Sequence, residues 1–555
     1  MRQEQILQWL LAVILSLLAF LVSINVYADE VAETPSAPSA VQKTSLEALL
    51  TELTKVSLSK APEVLDKIED ISGKEILPLF DAMLGGDLYY QLDSRRVLIV
   101  TKMAKGSLRG SDPLSGEWLD SLDKKTIKKI RVNNSLRSHL REAMARINLK
   151  TGTVEERRTA VLSMLDDLSP HNIVLLKDAR QSEKNADVLK MIELALAMDV
   201  VGHSANSAER LLAMETLSGR LEPPVRNLLK GVVDNDAEGD RKVRATAAKA
   251  LGTINEKREF YGFVEQLFFG LSLGSVLLLA AIGLAITFGV MGVINMAHGE
   301  MIMLGAYTTY VVQLLMPNLI DYSLWVAIPA AFLVSGAVGV LIERTVIRHL
   351  HGRPLESLLA TFGISLILQQ AVRTIFSPLN RQVSTPEWMS GSLEINPVFS
   401  ITYNRLYILL FALLVFFVLQ LILKKTSLGL NVRAVSQNRD MAKCMGIRTE
   451  WVDAMTFGLG SGIAGVAGVA LSQLTNVGPN LGQSYIIDSF MVVVFGGVGN
   501  LLGTLVGGFT LGIANKFLEP VTGAVLANVV VLVFIILFIQ KRPKGLFPQK
   551  GRAAE

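Results

Sequence analysis

A few polar side chains interrupt the apolar second half of the chain, and these are the residues that could do chemistry. Asn295, His298 and Glu300 lie within GVMGVINMAHGEMIMLGAY (289–307). Thr361, Ser365, Gln369 and Gln370 lie within LLATFGISLILQQ (358–370), and Asn500 follows the glycines Gly496, Gly497 and Gly499 in VVVFGGVGNLLGTLVGG (492–508). An ionised side chain at mid-bilayer costs about 2.5–3.5 kcal/mol, so such groups need a polar cavity, a partner or an interface. Each therefore has two readings. His298, Glu300 and Asn295 either face a solute path or cap the helix that follows. Thr361 and Gln369 either bind a solute or bond a neighbouring helix. Asn500 either lines a cavity or caps a helix starting at Leu501. Glycine-interrupted apolar segments point to a transport pathway, because broken helix ends present partial charges to a solute. No catalytic residue, metal site or cofactor is expected.

The elements that would position these groups are membrane helices. Apolar stretches long enough for a hydrocarbon core of about 30 Å occur near 267–290, 324–343, 356–376, 404–424, 452–474 and 523–540, with a short stretch at 301–316 and a glycine-broken one at 486–514. In lipid every backbone amide must be paired internally, so these must be helices, and breaks belong where they face protein or a wet cavity. The expected class is all-α: a polytopic helical membrane domain preceded by an exported all-helical domain.

That first domain begins after a segment that reads as a secretory signal (1–28), with Arg2 ahead of an apolar run and Val26-Tyr27-Ala28 as a cleavage pattern. Residues 29–44 are rich in Pro, Ser, Ala and Thr and read as a linker. From 45 to 258 apolar residues recur at helical spacing. Arg158, Arg210 and Arg244 each precede a leucine (Leu165, Leu217, Leu251) by the same interval, a pattern open to a HEAT-like solenoid or to a non-repetitive helical domain. The sequence holds one cysteine, Cys444, so no disulfide can form within the chain.

The net charge of +4 says little, but its placement does. Basic residues cluster after Arg348, from Lys424, and in KRPKG near the C-terminus, which the positive-inside rule puts in the cytoplasm. With the first domain outside, strict alternation agrees for the first two clusters. Counting eight full crossings would leave the last cluster outside, so the 486–514 segment either re-enters or crosses twice. The loop TSLGLNVRAVSQNRDMAKCMGIRTEW (426–451) predicts one amphipathic helix, near 433–448, stopped by Gly446. Such a helix could dock in a partner's groove or lie on anionic lipid.

These motifs, VINMAHGEMIMLGAYTTY, LLATFGISLILQQ, LGLNVRAVSQNRDMAKCMGI, DSFMVVVFGGVGNLLGTLVGG and the terminal RPKGLF, resemble the branched-chain amino acid permease family of ABC importers over about 263–548. The methionine-rich 290–310 segment and the large preceding extension resemble the urea-type permease subunit within it. The resemblance implies a permease subunit moving a small polar solute, with urea as the expected solute. It implies a second homologous permease subunit, two separate cytoplasmic ATPase subunits and a periplasmic solute-binding protein as partners, in a bacterial inner membrane. It also implies an ATPase-coupling role for Arg433, Asn438, Ala442, Gly446 and Ile447. A nucleotide-binding loop needs GxxxxGK[ST], and the one Gly-Lys pair, Gly73-Lys74, lacks the upstream glycine and the following hydroxyl. The pathway expected is Asn295, His298, Glu300, Thr361, Gln369, Gly496, Gly497 and Asn500. The alternatives are the same machinery for branched-chain amino acids or short amides, a passive channel, or a membrane-anchored sensor.

Overall fold

The computed structural model describes residues 40–547 apart from 59, 103–107, 114–116, 123–125, 236–239 and 351. The expected signal segment (1–28) and C-terminal tail (549–555) lie outside the described residues. Of the linker expected to be disordered, 40–44 are described, and they are helical. The described chain divides into two compact units at 258/259.

The first unit starts with α1 (Ala40–Leu53), α2 (Ala61–Ser72) and α3 (Leu77–Gly85), and later runs through α4 (Asn134–Thr151), α5 (Val154–Met164), α6 (Pro170–Ser182), α7 (Ala186–His203), α8 (Ser207–Leu217) and α9 (Pro223–Asp234). Side-chain caps open most of the later ones: Asn133, Thr153, Ser169, Asn185 and Asn206 each accept an N–H from the first turn. Helix α7 packs against α5, α6, α8 and α9 around an apolar core that includes Val161, Leu176, Ile192 and Leu229, while α1, α2, α3 and α4 share a second core with Leu65, Phe80 and Leu140. The repeated arginines close helix ends. Arg210 donates to the Val201 carbonyl (3.1 Å) and Arg244 to the Asn235 carbonyl (3.0 Å), each satisfying the C-terminal region of the preceding helix. In the earlier repeat this part falls to Arg157, which donates to Gly152 at 2.9 Å, rather than to Arg158, which pairs with Glu155.

The all-helical reading of this unit needs one correction. Between α3 and α4 lies an antiparallel sheet, β1 (Leu88–Gln91), β2 (Val97–Lys102), β3 (Leu108–Ser111), β4 (Trp118–Leu122) and β5 (Ile127–Lys129), in the order β4-β3-β2-β1-β5. The β-branched run VLIV of β2 supplies its centre, and Arg95 in the left-handed region (φ 58°) turns β1 into β2. Leu98, Val100, Leu108 and Ile127 are buried on one face, and Leu88, Tyr90 and Val97 on the other join the core of α1, α2, α3 and α4.

The second unit is a bundle of apolar helices: α10 (Arg241–Met291, which carries the division between the units), α11 (His298–Leu315), α12 (Ile320–Thr345), α13 (Pro354–Phe376), α14 (Tyr403–Lys425), α15 (Ser427–Gln437), α16 (Arg439–Cys444), α17 (Thr449–Ser472), α18 (Leu481–Gly496), α19 (Leu501–Thr522) and α20 (Ala524–Lys541). A small hairpin, β6 (Ser392–Asn396) and β7 (Phe399–Thr402), precedes α14. Seven of these helices, α10, α12, α13, α14, α17, α19 and α20, are long and apolar enough to cross a membrane. Helix α17 is the hub, buried along almost its whole length. Its glycines let other backbones approach closely, as small residues do in membrane interfaces. A Cβ on Gly460 would meet α10 at Gly283, one on Gly465 would meet Ala331 and Ser335 of α12, and one on Gly468 would meet Ile302 and Ala306 of α11.

The 486–514 segment falls in two helices, α18 and α19, joined by a tight turn and touching at Gly496 and Gly503. The basic ends of α12, α14 and α20 fall on one side of the bundle. Direct contacts agree: Arg348 pairs with Glu450 at the start of α17 (2.9 Å), Val290 at the end of α10 packs with Val432 and Val452, and Phe547 N–H donates to Gly496 at 3.1 Å.

Candidate functional site

The first interrupted segment is a true break. Helix α10 ends at Met291, Gly292 turns the chain at φ 66°, and 293–297 carry no helix until His298 opens α11. His298 is fully buried, and its Nε2–H donates to the Ala280 carbonyl at 2.9 Å. Ala280 lies about 16 Å back along α10 from Met291 at 1.5 Å per residue. The chain therefore doubles back into the bundle, and α11 starts in its middle rather than at its edge. Nδ1 of His298 has no partner, and a Cβ on Gly283 would collide with the imidazole.

Three side chains of α13, spaced one turn apart on one face, hold this break. Thr361 Oγ1 accepts the Met296 N–H at 3.1 Å and donates to its own helix at the Leu358 carbonyl, 3.0 Å away. Ser365 Oγ (2.9 Å) and Gln369 Nε2 (2.8 Å) both donate to Oε1 of the buried Glu300, whose Oε2 is left without a partner. Asn295 accepts the Ala297 N–H at 3.0 Å, closing the turn that launches α11. Gln370, on the other side of α13, is exposed. The fold thus brings Asn295, His298, Glu300, Thr361 and Gln369 together, bonded mainly to protein.

Gly496, Gly497 and Asn500 sit elsewhere, in the α18–α19 turn at the basic end. Gly497 (φ 105°) and Gly499 (φ 78°) need the left-handed region, and a Cβ on Gly497 would meet the Phe547 carbonyl. Asn500 caps α19 by accepting from Leu502 (3.1 Å) and Gly503 (3.2 Å), and it donates to Phe547 at 3.2 Å.

The expected single helix near 433–448 is two. Asn438 ends α15 and caps α16, accepting the Met441 N–H at 3.0 Å; an asparagine hydrogen-bonding its local backbone favours this break. Ala442 is buried with Val432, Val435 and Val452, and Ile447 packs beside them. Gly446 (φ 86°) ends α16 with open space around it. Met441, Cys444 and Met445 are left exposed. Arg433 donates to the Leu423 carbonyl, and Arg439 makes an ion pair with the buried Asp453 of α17.

Sequence reading missed a cavity of about 470 Å³ between α18, α19 and α20, with one wall from α10. Its polar lining includes Tyr485 and Asp488 of α18, Asn515, Lys516 and Glu519 of α19, and Asn528 of α20. Lys516 pairs with Glu519 at 2.5 Å, and Asn515 donates to Asn528. The signal was present: ionisable residues inside apolar helices are rare and mark pathways. SYIIDSFMVVV and ANKFLEP both carry them.

A family described as branched-chain amino acid transport system / permease component matches residues 266–540. Among curated relatives, the high-affinity branched-chain amino acid transport system permease protein BraD of Pseudomonas aeruginosa is 32% identical over 299 residues, covering 52% of this chain and 96% of BraD. The proteins named LivH with the same description are 33% identical in Salmonella typhimurium and 32% in Escherichia coli K12, each over 300 residues, 52% of this chain and 96% of the relative. No solved structure matches the chain significantly.

Proposed function

Since the chain belongs to the family of permease components of branched-chain amino acid transport systems, we propose that it is the membrane-spanning subunit of an ATP-driven importer of branched-chain amino acids. The relatives' names favour this alternative over urea, which the resemblance of the 290–310 segment suggested. In this reading the basic end of the bundle faces the cytoplasm, by the positive-inside rule. The first unit then lies on the periplasmic side, where a solute-binding protein delivers its cargo. A second homologous permease subunit completes the pathway, and two cytoplasmic ATPase subunits drive it.

The observation that carries the reading is α16. It stands at the basic end with Ala442 anchored and Met441 and Met445 offered outward, the pattern of a helix that fills a partner's groove. Arg439 ties it to Asp453, so movement imposed on α16 reaches α17 and, through the glycine contacts, α10, α11 and α12. Asn295, His298, Glu300, Thr361 and Gln369 then form a fixed wall of the pathway, while Gly496, Gly497 and Asn500 hold the turn at its cytoplasmic end.

The test uses the one cysteine. Cys444 should react readily with maleimide in the free chain and be protected when the ATPase subunits assemble, and ATP hydrolysis by that assembly should rise with leucine-loaded binding protein and not with urea. Equal labelling in both states, or stimulation by urea alone, would reject the assignment.

A further inference from the structure

Within the apolar bundle, the cavity between α18, α19 and α20 gathers two acids, Asp488 and Glu519, around one base, Lys516. Glu519 pairs with Lys516, but among the described residues Asp488 has no ion pair or hydrogen bond to a side chain. An unpaired carboxylate on a membrane helix is expensive and by default functional. Lys516 gives one of its three N–H donors to Glu519 and keeps two. Facing these groups are aliphatic walls, Leu273 and Leu277 of α10, Leu511 of α19 and Val531 of α20. The volume, about 470 Å³, falls within the roughly 300–1,000 Å³ of small-molecule sites.

The position along the helices gives the cavity a direction. Glu519 lies near the end of α19 away from the basic loops and Ala524 begins α20 there, whereas Asp488 lies partway down α18. The lining therefore runs from the non-basic end of the bundle toward its middle.

Resting on the function proposed above, we propose that this cavity is an entry subsite for an aliphatic α-amino acid: Asp488 receives the ammonium group, Lys516 the carboxylate, and Leu273, Leu277 and Val531 the branched side chain. One anionic and one cationic group beside an aliphatic wall match a zwitterion with an apolar tail. Urea, with neither charge nor tail, would leave Asp488 uncompensated. The chemistry also ranks analogues: leucinamide keeps the ammonium and tail, 4-methylpentanoate keeps only the carboxylate and tail.

The test is uptake of labelled leucine by vesicles holding the full assembly with ATP. Wild type should be inhibited by leucinamide more than by 4-methylpentanoate. Asp488→Asn should lose about tenfold or more of leucine uptake, as expected for a lost charged hydrogen bond, and should no longer distinguish the two analogues, while Asp488→Glu restores both. Wild-type rates and preference in Asp488→Asn would overturn the subsite and leave the importer reading standing; no leucine uptake by wild type would overturn both. A second measurement needs no change at Asp488. In a Cys444→Ser background, Ser484→Cys on the cavity wall should react faster with a cationic than with an anionic thiosulfonate and be protected by leucine. Equal rates without protection would overturn the proposal.

Discussion

Gly299 and Gly482 meet backbone to backbone: a Cβ on either would strike the carbonyl of the other. The first turns of α11 and α18, two short helices that begin inside the bundle, are packed against one another there. Replacing Gly482 by Ala should cost about 1–3 kcal/mol through overpacking, seen as a lower thermal midpoint of the purified protein and reduced uptake. Gly363→Ala on α13, where nothing lies within 4 Å, should leave the midpoint unchanged or raise it, since Ala is the better helix former. An unchanged midpoint for Gly482→Ala would refute the close contact.

Thr361 holds the break by accepting the Met296 N–H. Thr361→Val keeps the shape and leaves that partly buried amide unpaired, at a cost of about 1 kcal/mol, the low end of the range for an unsatisfied group, whereas Thr361→Ser should retain most of the stability. Amide exchange around 293–297 should speed up in the valine variant alone. Equal exchange in the two variants would show that the hydroxyl is not the tether.

Arg439 and Asp453 join α16 to α17. Arg439→Ala strands a buried carboxylate, and breaking such a pair costs about 3–5 kcal/mol when fully buried; with Arg439 partly exposed, the lower end applies. The expected phenotype is ATP hydrolysis that no longer responds to leucine-loaded binding protein, with the ATPase subunits still attached. Normal stimulation in Arg439→Ala would exclude the pair from coupling.

In the first unit, the hydrogen bond from Arg157 holds the Glu183 carboxyl below its ordinary value of 4.5. A carboxyl with a depressed folded pKa adds stability that is present above the unfolded value and disappears as pH falls through the folded one. Protection of amides in α5 and α6 of the full chain should therefore decline as pH drops below 4.5, and Arg157→Ala should flatten that decline. The same slope in the variant would show that other groups set it.

Much of this architecture could be read from residue patterns because lipid leaves few options: long apolar runs must be helices, and the breaks at Gly292 and Gly497 are announced by their glycines. The sheet of 88–129 escaped notice because its strands are short and lie within a strongly helical pattern, so that VLIV stood alone. The second half of the α18–α19 pair was ambiguous for a different reason: whether Gly496 and Gly497 make a re-entrant loop or a hairpin depends on what packs beside them, here Gly503 and Phe547. Asn295, His298 and Glu300 were visible as polar exceptions, but their partners, Ala280, Ser365 and Gln369, are distant in sequence. Asp488, Lys516 and Glu519 were legible as charges in apolar helices, and their convergence on one cavity was not, since it depends on how α18 and α19 pair.

The most direct measurement is the concentration of labelled leucine inside vesicles that carry this chain with its permease partner, ATPase subunits and binding protein. With ATP supplied to the side of the basic loops, leucine should rise above its outside concentration, and without ATP it should not enter. Equal inside and outside concentrations reached with or without ATP would contradict the account.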